Sequence, residues 1–243
     1  MRVSRIFQPG NFTVGARIEL DTSTAHYVAN VLRLRDGDAL DVFNGDGGAY
    51  RATLVSISRK AGVIELGELM ADDRESTLTL HLALGVSRGE RMDLAIQKAT
   101  ELGVSRVTPL QTARSVTKLS GDRAAKRVAH WQQIAVSACE QCGRNLVPTV
   151  SPILELPKWL GDAPEGLRLV LSTRASRRLA DAGDARVDEV TLLIGAEGGL
   201  SEAEVDLATA TGFVPVNMGP RILRTETAAL TGVALAQNTW GDL

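Results

Sequence analysis

Gly195-Ala196-Glu197-Gly198-Gly199 has the composition of a ligand-binding turn. It follows Thr191-Leu192-Leu193-Ile194, an apolar run that reads as a buried strand, and precedes a helix opened by Ser201 with Glu204 three residues on, a capping box. Glycines after a buried strand free backbone N–H groups at a helix start, the arrangement that cradles phosphate. The charges here argue against an anion. Glu197 lies within the turn, and Glu202 and Glu204 occupy the positive end of the helix dipole. A pyrophosphate would meet like charge in a poorly screened pocket, so the expected ligand is neutral or cationic. A second loop of the same kind follows the next strand. It runs from Met218 through Gly219, Pro220, Ile222 and Leu223 to Arg224, with Gly219 for close approach, Pro220 for a fixed φ and Thr225 as N-cap of an Ala-rich helix. Two such loops can enclose one flat polar ligand.

Two other patterns look chemical and are weaker. Gly85-Val86-Ser87-Arg88-Gly89 spells the G-x-S-x-G nucleophile elbow of hydrolases between a strand and a helix. A hydrolase needs an acid and then a histidine downstream; His130 is the only histidine after Ser87, and it leaves too little chain for the strands that carry those partners. Cys139 and Cys142 form a C-x-x-C pair, but a tetrahedral zinc site wants two more ligands and His130 stands alone upstream. They read as two reduced thiols at a helix end, and no metal is expected.

The chain has 243 residues, 44% of them hydrophobic, with a formal net charge of -2. Such a chain can bury a sizeable core in one or two domains. It has no apolar run long enough to span a membrane and no apolar segment near Met1 of the secretory kind, so a cytoplasmic protein without a membrane partner is expected. The charge is unevenly spread. Arg114, Lys118, Arg123, Lys126, Arg127 and Arg144 face only Asp122 and Glu140 between residues 111 and 148, a local basic patch able to hold phosphates.

Around these residues the elements follow in order. Residues 2–69 read as short strands with one helix capped by Ser23, and strands at that spacing suggest a small barrel. A polar run, Ala71-Asp72-Asp73-Arg74-Glu75-Ser76, marks a boundary, giving domains 1–72 and 73–243. Beyond it come a strand (77–85), a helix (90–102) and a strand (104–110), a βαβ unit and hence an α/β domain with a parallel sheet. A long basic helix covers 121–143, and an apolar strand covers 167–171.

The stretches "IGAEGGLSEAEV" and "VNMGPRILRTETAALTGVALAQ" closely resemble the closing motifs of the SPOUT class of S-adenosylmethionine-dependent RNA methyltransferases. Within that class the match is to the 16S ribosomal RNA (uracil-N3) methyltransferase family. "SRG" at 87–89, "MDLAIQKATELGV" and "ACEQCGRN" carry the same resemblance, as do Arg5 in "SRIF" and Arg33 in "VLRLRDGD". Arg35 reads instead as a surface ion pair with Asp36 or Asp38.

The resemblance implies a SPOUT-type parallel sheet with a C-terminal deep trefoil knot, preceded by a small PUA-like β-barrel. It implies a homodimer acting on 16S rRNA, with S-adenosylmethionine held mainly by the main chain of Leu171-Ser172, of residues 194–199 (Ile194, Gly195, Ala196, Glu197, Gly198, Gly199) and of residues 218–223. The cofactor is a sulfonium cation without phosphates, which agrees with the acidic turn. Arg88 or Arg224 would stabilise the anionic uracil, and Glu101, Glu140 or Glu226 would accept its proton. Arg5, Arg33, Arg144 and Asn145 would hold RNA. Ser172 and Ala196 depart from the family pattern, which commonly has a histidine and proline in the first loop and proline before Glu-Gly-Gly; backbone contacts survive both changes. A non-catalytic RNA-binding or ribosome-assembly factor on the same fold is the competing reading.

Overall fold

The computed structural model describes residues 3–71, 74–183 and 186–243, so Asp72 and Asp73 of the expected boundary lie outside the described residues. The chain forms two compact units. One comprises Met1–Glu75 with Cys139–Val147, the other Ser76–Ala138 with Pro148–Leu243. The return of residues 139–147 to the first unit differs from the linear division expected at residue 72.

In the first unit, β1 (Ser4–Phe7), β2 (Arg17–Leu20), β3 (Ala39–Phe43), β4 (Ala49–Ile57) and β5 (Gly62–Met70) form one sheet in the order β1-β3-β4-β5-β2. β1 pairs parallel with β3 and the other neighbours are antiparallel. Hydrogen bonding leaves β1 and β2 as edges, so among the described residues the ladder does not close the expected barrel. The alternation of β3 puts Leu40 and Val42 inward, where they meet Ile6, Leu54, Ile64 and Val28. Helix α1 (Thr22–His26) is capped by Asp21, not by the expected Ser23: the Asp21 carboxylate accepts the amides of Ser23 and Thr24, both at 2.9 Å. A π-helical turn (Tyr27–Val31) continues it and ends at Arg33, whose φ is +56°.

The second unit is a parallel sheet with helices on both faces. Its strands are β6 (Thr79–Gly85), β7 (Arg106–Gln111), β8 (Thr149–Val150), β9 (Leu154–Glu155), β10 (Leu167–Leu171), β11 (Glu189–Ile194) and β12 (Val214–Val216). The order is β12-β10-β11-β6-β7-β8, with β9 also on β7, and every pair is parallel. Central strands buried on both faces need largely apolar sequences, and β6 and β11 are mostly so, with His81 and Thr191 as buried polar exceptions. Leu193 packs on one face with Trp159 and Leu160 of α4 (Leu156–Gly161) and Ala208 of α5 (Glu202–Ala210). On the other face Gly232 of α6 (Thr225–Trp240) lies against Leu192 and Ile194. Helix α2 (Glu90–Glu101) packs beside α6, and α3 (Gly121–Cys142) is the long basic helix, its last turn counted with the first unit. No helix among the described residues is long and apolar enough to cross a membrane.

Candidate active site

Ligands of open parallel sheets bind outside the carboxyl ends of the strands, where the loops diverge. A cleft of about 590 Å³ lies there, at the ends of β10, β11 and β12. Its wall includes Leu171 and Ser172, residues 194–199, and Met218, Gly219, Ile222 and Leu223; Pro220 is not part of it. The turn after β11 is closed by the Gly199 amide donating to the Ala196 carbonyl at 2.8 Å, with Gly199 at φ +68°. Gly195 has no room for a side chain, since a Cβ there would stand 2.5 Å from the Gly199 carbonyl carbon.

Asn217, which sequence reasoning passed over, ties the loops together. Its amide donates to the Arg177 carbonyl (2.9 Å), its side-chain NH2 to the Ala175 carbonyl (2.7 Å), and its side-chain oxygen accepts the Gly219 amide (3.1 Å). An Asn two residues before a glycine is an Asx-turn signal, the one trace of this in the sequence.

The acidic turn is as charged as expected, but its carboxylates have protein partners. Ser201 and Glu204 form the predicted capping box, and the second Glu204 oxygen accepts the Ala113 amide at 2.7 Å. Glu197 accepts the Arg88 amide (2.8 Å) and the Arg91 guanidinium (3.1 Å) through one oxygen. Burial raises the Glu197 carboxyl, yet the Arg88 amide, its own amide and Arg91 outweigh it and hold the group below the usual carboxylate range. Glu202 is ion-paired with Arg174, and Arg114, unforeseen in the wall, donates to the Gly198 carbonyl at 2.9 Å. Thr225 is buried inside the first turn of α6, where Arg224 and not Thr225 is the N-cap residue and no side-chain bond caps it.

The proposed proton acceptors separate. Both oxygens of Glu101 accept from Lys98, at 2.8 and 3.0 Å, an i,i+3 pair on α2. Glu140 accepts the Phe7 amide at 2.9 Å inside the first unit; burial raises its carboxyl, against the Phe7 amide and Arg5. Glu226 alone of the three keeps a buried carboxylate oxygen without a hydrogen-bond partner. Arg88 and Arg224 are exposed.

The RNA candidates divide as well. Arg33 is exposed and holds its left-handed backbone without being glycine. Arg35 uses its amide, not its side chain, on Asp38 (2.7 Å). Arg5 is half-buried: its guanidinium stacks 4.3 Å from the Phe43 ring, donates to the Arg144 carbonyl at 2.8 Å and to the Asn145 side chain. Arg144 and Asn145 are 5% and 1% exposed, which corrects their expected place on the surface. Glu75 clamps them, one oxygen on the Arg144 guanidinium at 2.8 Å and the other on the Asn145 amide at 2.8 Å. Their polarity serves a buried ion pair, a use that short-range sequence patterns do not reveal.

The decoys resolve physically. Ser87 is 4% exposed and donates to the Gly85 carbonyl at 3.3 Å, while His130 pairs with Asp93 at 2.9 Å. Burial pushes the Cys139 thiol up to about 12, and among the described residues no group of three His, Cys, Asp or Glu side chains gathers to hold a metal.

The fold and this cleft define an α/β RNA methyltransferase: the model of an RNA methyltransferase domain matches residues 74–237, and that of an RNA methyltransferase PUA domain matches residues 20–67. The ribosomal RNA small subunit methyltransferase E of Buchnera aphidicola (Schizaphis graminum strain) is 33% identical over the whole chain and 98% of its own length. The crystal structure of the enzyme of that name from Neisseria gonorrhoeae, bound to S-adenosyl methionine, is 36% identical with a TM-score of 0.92 and full coverage of both chains. A Legionella pneumophila methyltransferase in complex with the cofactor SAM is 39% identical with a TM-score of 0.96, again over the full length of both. The chain belongs to the ribosomal RNA small subunit methyltransferase E family.

Its own residues fit that cofactor. The cleft has the volume of a small-molecule site and its glycine turn brings bare backbone to the wall; its carboxylates Glu197, Glu202 and Asp206 are balanced by Arg114, Arg174 and Arg221, so the fit rests on main chain.

Proposed function

We propose that this protein methylates N3 of a uracil in 16S ribosomal RNA, using S-adenosylmethionine held in the cleft at the ends of β10, β11 and β12. The carrying observation is that cleft, walled by two backbone loops at the strand ends, in a chain that matches S-adenosylmethionine-bound relatives over its full length. When bound, the cofactor supplies an electrophilic methyl group on a sulfonium. Every other task falls to the chain. Residues 194–199 and 218–223 hold and orient, mainly by main chain. The uracil must be splayed out, because its Watson–Crick edge is the nucleophile. Arg88 and Arg224, both exposed, stabilise the negative charge that N3 develops on losing its proton. Glu226 accepts that proton: its free oxygen favours it over Glu101, tied to Lys98, and Glu140, tied to the Phe7 amide.

RNA is held by Arg33 and by the exposed Lys118, Arg123 and Lys126, while Arg5 is committed to Phe43, Arg144 and Asn145. The chain acts in the cytoplasm as a homodimer, a reading supported by apolar side chains left in solvent, Ile222 at 87% exposure foremost. Its C-terminal segment threads into a deep trefoil knot; support comes from the strand order and from α6 returning to β6 and β11. Equilibrium sedimentation tests the dimer, and a monomer at working concentration refutes it. Isothermal titration with S-adenosylmethionine, beside Gly198→Glu, tests the site: binding lost in the variant is expected, and no binding by the natural protein at millimolar cofactor overturns the reading.

A further inference from the structure

Two carboxylates accept backbone amides from neighbouring loops: Glu197, which lines the cleft and uses one oxygen for this while its other is buried without a hydrogen-bond partner, and Glu204. Glu197, in the turn after β11, accepts the amide of Arg88, at 2.8 Å, in the loop that follows β6. Glu204, in the first turn of α5, accepts the amide of Ala113, at 2.7 Å, in the loop that follows β7. Each of those loops carries an exposed arginine, Arg88 in the first and Arg114 in the second. Each is tied a second time: Arg91 of α2 donates to Glu197 at 3.1 Å, and Arg114 itself donates to the Gly198 carbonyl at 2.9 Å. Backbone contact closes the gap further. A Cβ on Gly85 would stand 2.3 Å from the Ala196 amide nitrogen, and one on Gly198 would stand 2.8 Å from the Arg114 Cβ.

Before Arg88 the loop is buried and tied by the Val86 amide on the Leu110 carbonyl at 2.9 Å; after it, the entry to α2 is uncapped. Gly89, the N-cap residue of α2, has φ +60° and ψ -140°, a region open to glycine alone, and no side chain caps the helix there. At Arg88 itself the backbone amide is held by Glu197.

We propose that Glu197 and Glu204 are positioning residues, not cofactor ligands: they hold the Arg88 and Arg114 loops against the turn 195–199, so that two guanidinium groups stand at fixed places beside the cleft. Arg91 completes the device as the counter-charge of Glu197, and Arg114 becomes a second substrate-facing arginine for the phosphate or the anionic base of the RNA. The inference rests on the methyltransferase reading of the cleft.

Glu197→Ala and Glu197→Gln separate the possibilities, because glutamine keeps the oxygen that accepts the Arg88 amide and loses the charge. Hydrogen exchange over residues 86–91, S-adenosylmethionine titration and single-turnover methylation of small-subunit rRNA are measured on both. Positioning predicts that Glu197→Ala speeds exchange in that segment about tenfold or more, the ratio a charge-assisted hydrogen bond commands. It also predicts kcat down by a similar or larger factor, cofactor affinity within about threefold, and recovery of most of both losses in Glu197→Gln. If both variants lose cofactor affinity about tenfold while residues 86–91 keep their protection, the carboxylate is a cofactor ligand and the proposal is overturned. It is overturned too if Glu197→Ala changes neither exchange nor kcat beyond twofold. Exchange that responds as predicted in a protein whose natural form transfers no methyl group supports the tether and refutes the functional reading alone.

Discussion

Replacing Arg33 by glycine should make the protein more stable and its RNA binding weaker. Arg33 follows the π-helical turn, and the Leu34 amide reaches back to the Val28 carbonyl at 3.1 Å, so Arg33 occupies the left-handed position at a helix end where glycine is usual. An L-residue there costs about 1–2 kcal/mol, and glycine removes that cost while adding about 0.5–1 kcal/mol of chain entropy to the unfolded state. The net gain is about 0.5–1 kcal/mol, which for a chain of this length raises Tm by about 1–4 °C. The guanidinium it removes is exposed and engages no carboxylate among the described residues. One lost phosphate contact lowers the salt slope of RNA binding by about 0.7–0.9 and the affinity at moderate salt by about 3- to 10-fold. The assay pairs thermal unfolding with filter binding of a small-subunit rRNA fragment at several salt concentrations, for Arg33→Gly, Arg33→Ala and Arg33→Lys. Alanine should lose RNA without gaining stability, and lysine should keep most of the RNA binding. A glycine variant no more stable than the alanine variant, or one that binds RNA with an unchanged salt slope, would refute the reasoning.

Other expectations follow from single contacts. Gly198→Ala pushes a Cβ to 2.8 Å from the Arg114 Cβ, so cofactor affinity should fall about tenfold, whereas Gly161→Ala, with nothing within 4 Å, should leave it unchanged in the same titration. Glu226→Gln should lower kcat about 10²- to 10⁴-fold with cofactor affinity retained; a kcat within threefold of the natural protein removes Glu226 as proton acceptor. Glu75→Ala removes the carboxylate that bridges the buried Arg144 guanidinium and the Asn145 and Leu146 amides, and should destabilise the first unit by about 3–5 kcal/mol in denaturant unfolding; a loss under about 1 kcal/mol would contradict a structural role for the pair. His81 gives a pH signature. Burial, helped by Arg106, draws its pKa from 6.5 to about 4, so the fold holds neutral imidazole while the unfolded chain takes up a proton below about 6.5. Its contribution, up to about 3 kcal/mol, is therefore full above pH 6.5 and lost as pH falls toward 4. Tm measured across that range should drop less steeply in His81→Gln.

How far the sequence carries can be seen residue by residue. The parallel sheet of the second unit was legible because a strand buried on both faces must be largely apolar, and β6, β10 and β11 are, interrupted only by Thr79 and His81, by Arg168, and by Glu189 and Thr191. The capping box at Ser201 and Glu204 was legible because its two bonds span three residues. Asp21 escaped because Ser23 and Asp21 are both good caps in one short stretch, and geometry alone chooses the carboxylate that reaches two amides. What depends on distant partners stayed hidden. Arg144 and Asn145 look like surface recognition residues until Glu75, some seventy positions away, is seen to clamp them. That Glu197, a residue of the cleft wall, also accepts the Arg88 amide from 109 residues earlier could not be read from the turn alone. The basic patch was readable as composition, but which of its members face water was not: Arg123 and Lys126 do, while Arg127 lies over the Trp131 ring at 5.7 Å.

The most direct test of the account is to incubate the protein with isotopically labelled S-adenosylmethionine and small ribosomal subunits lacking the modification, then map the label. The account predicts one methyl group per 16S rRNA, on a uracil whose blocked N3 stops reverse transcription, and no label with Gly198→Glu. Label on a ribose or on another base would contradict the N3 assignment, and no transfer by a protein that binds the cofactor would contradict the central claim.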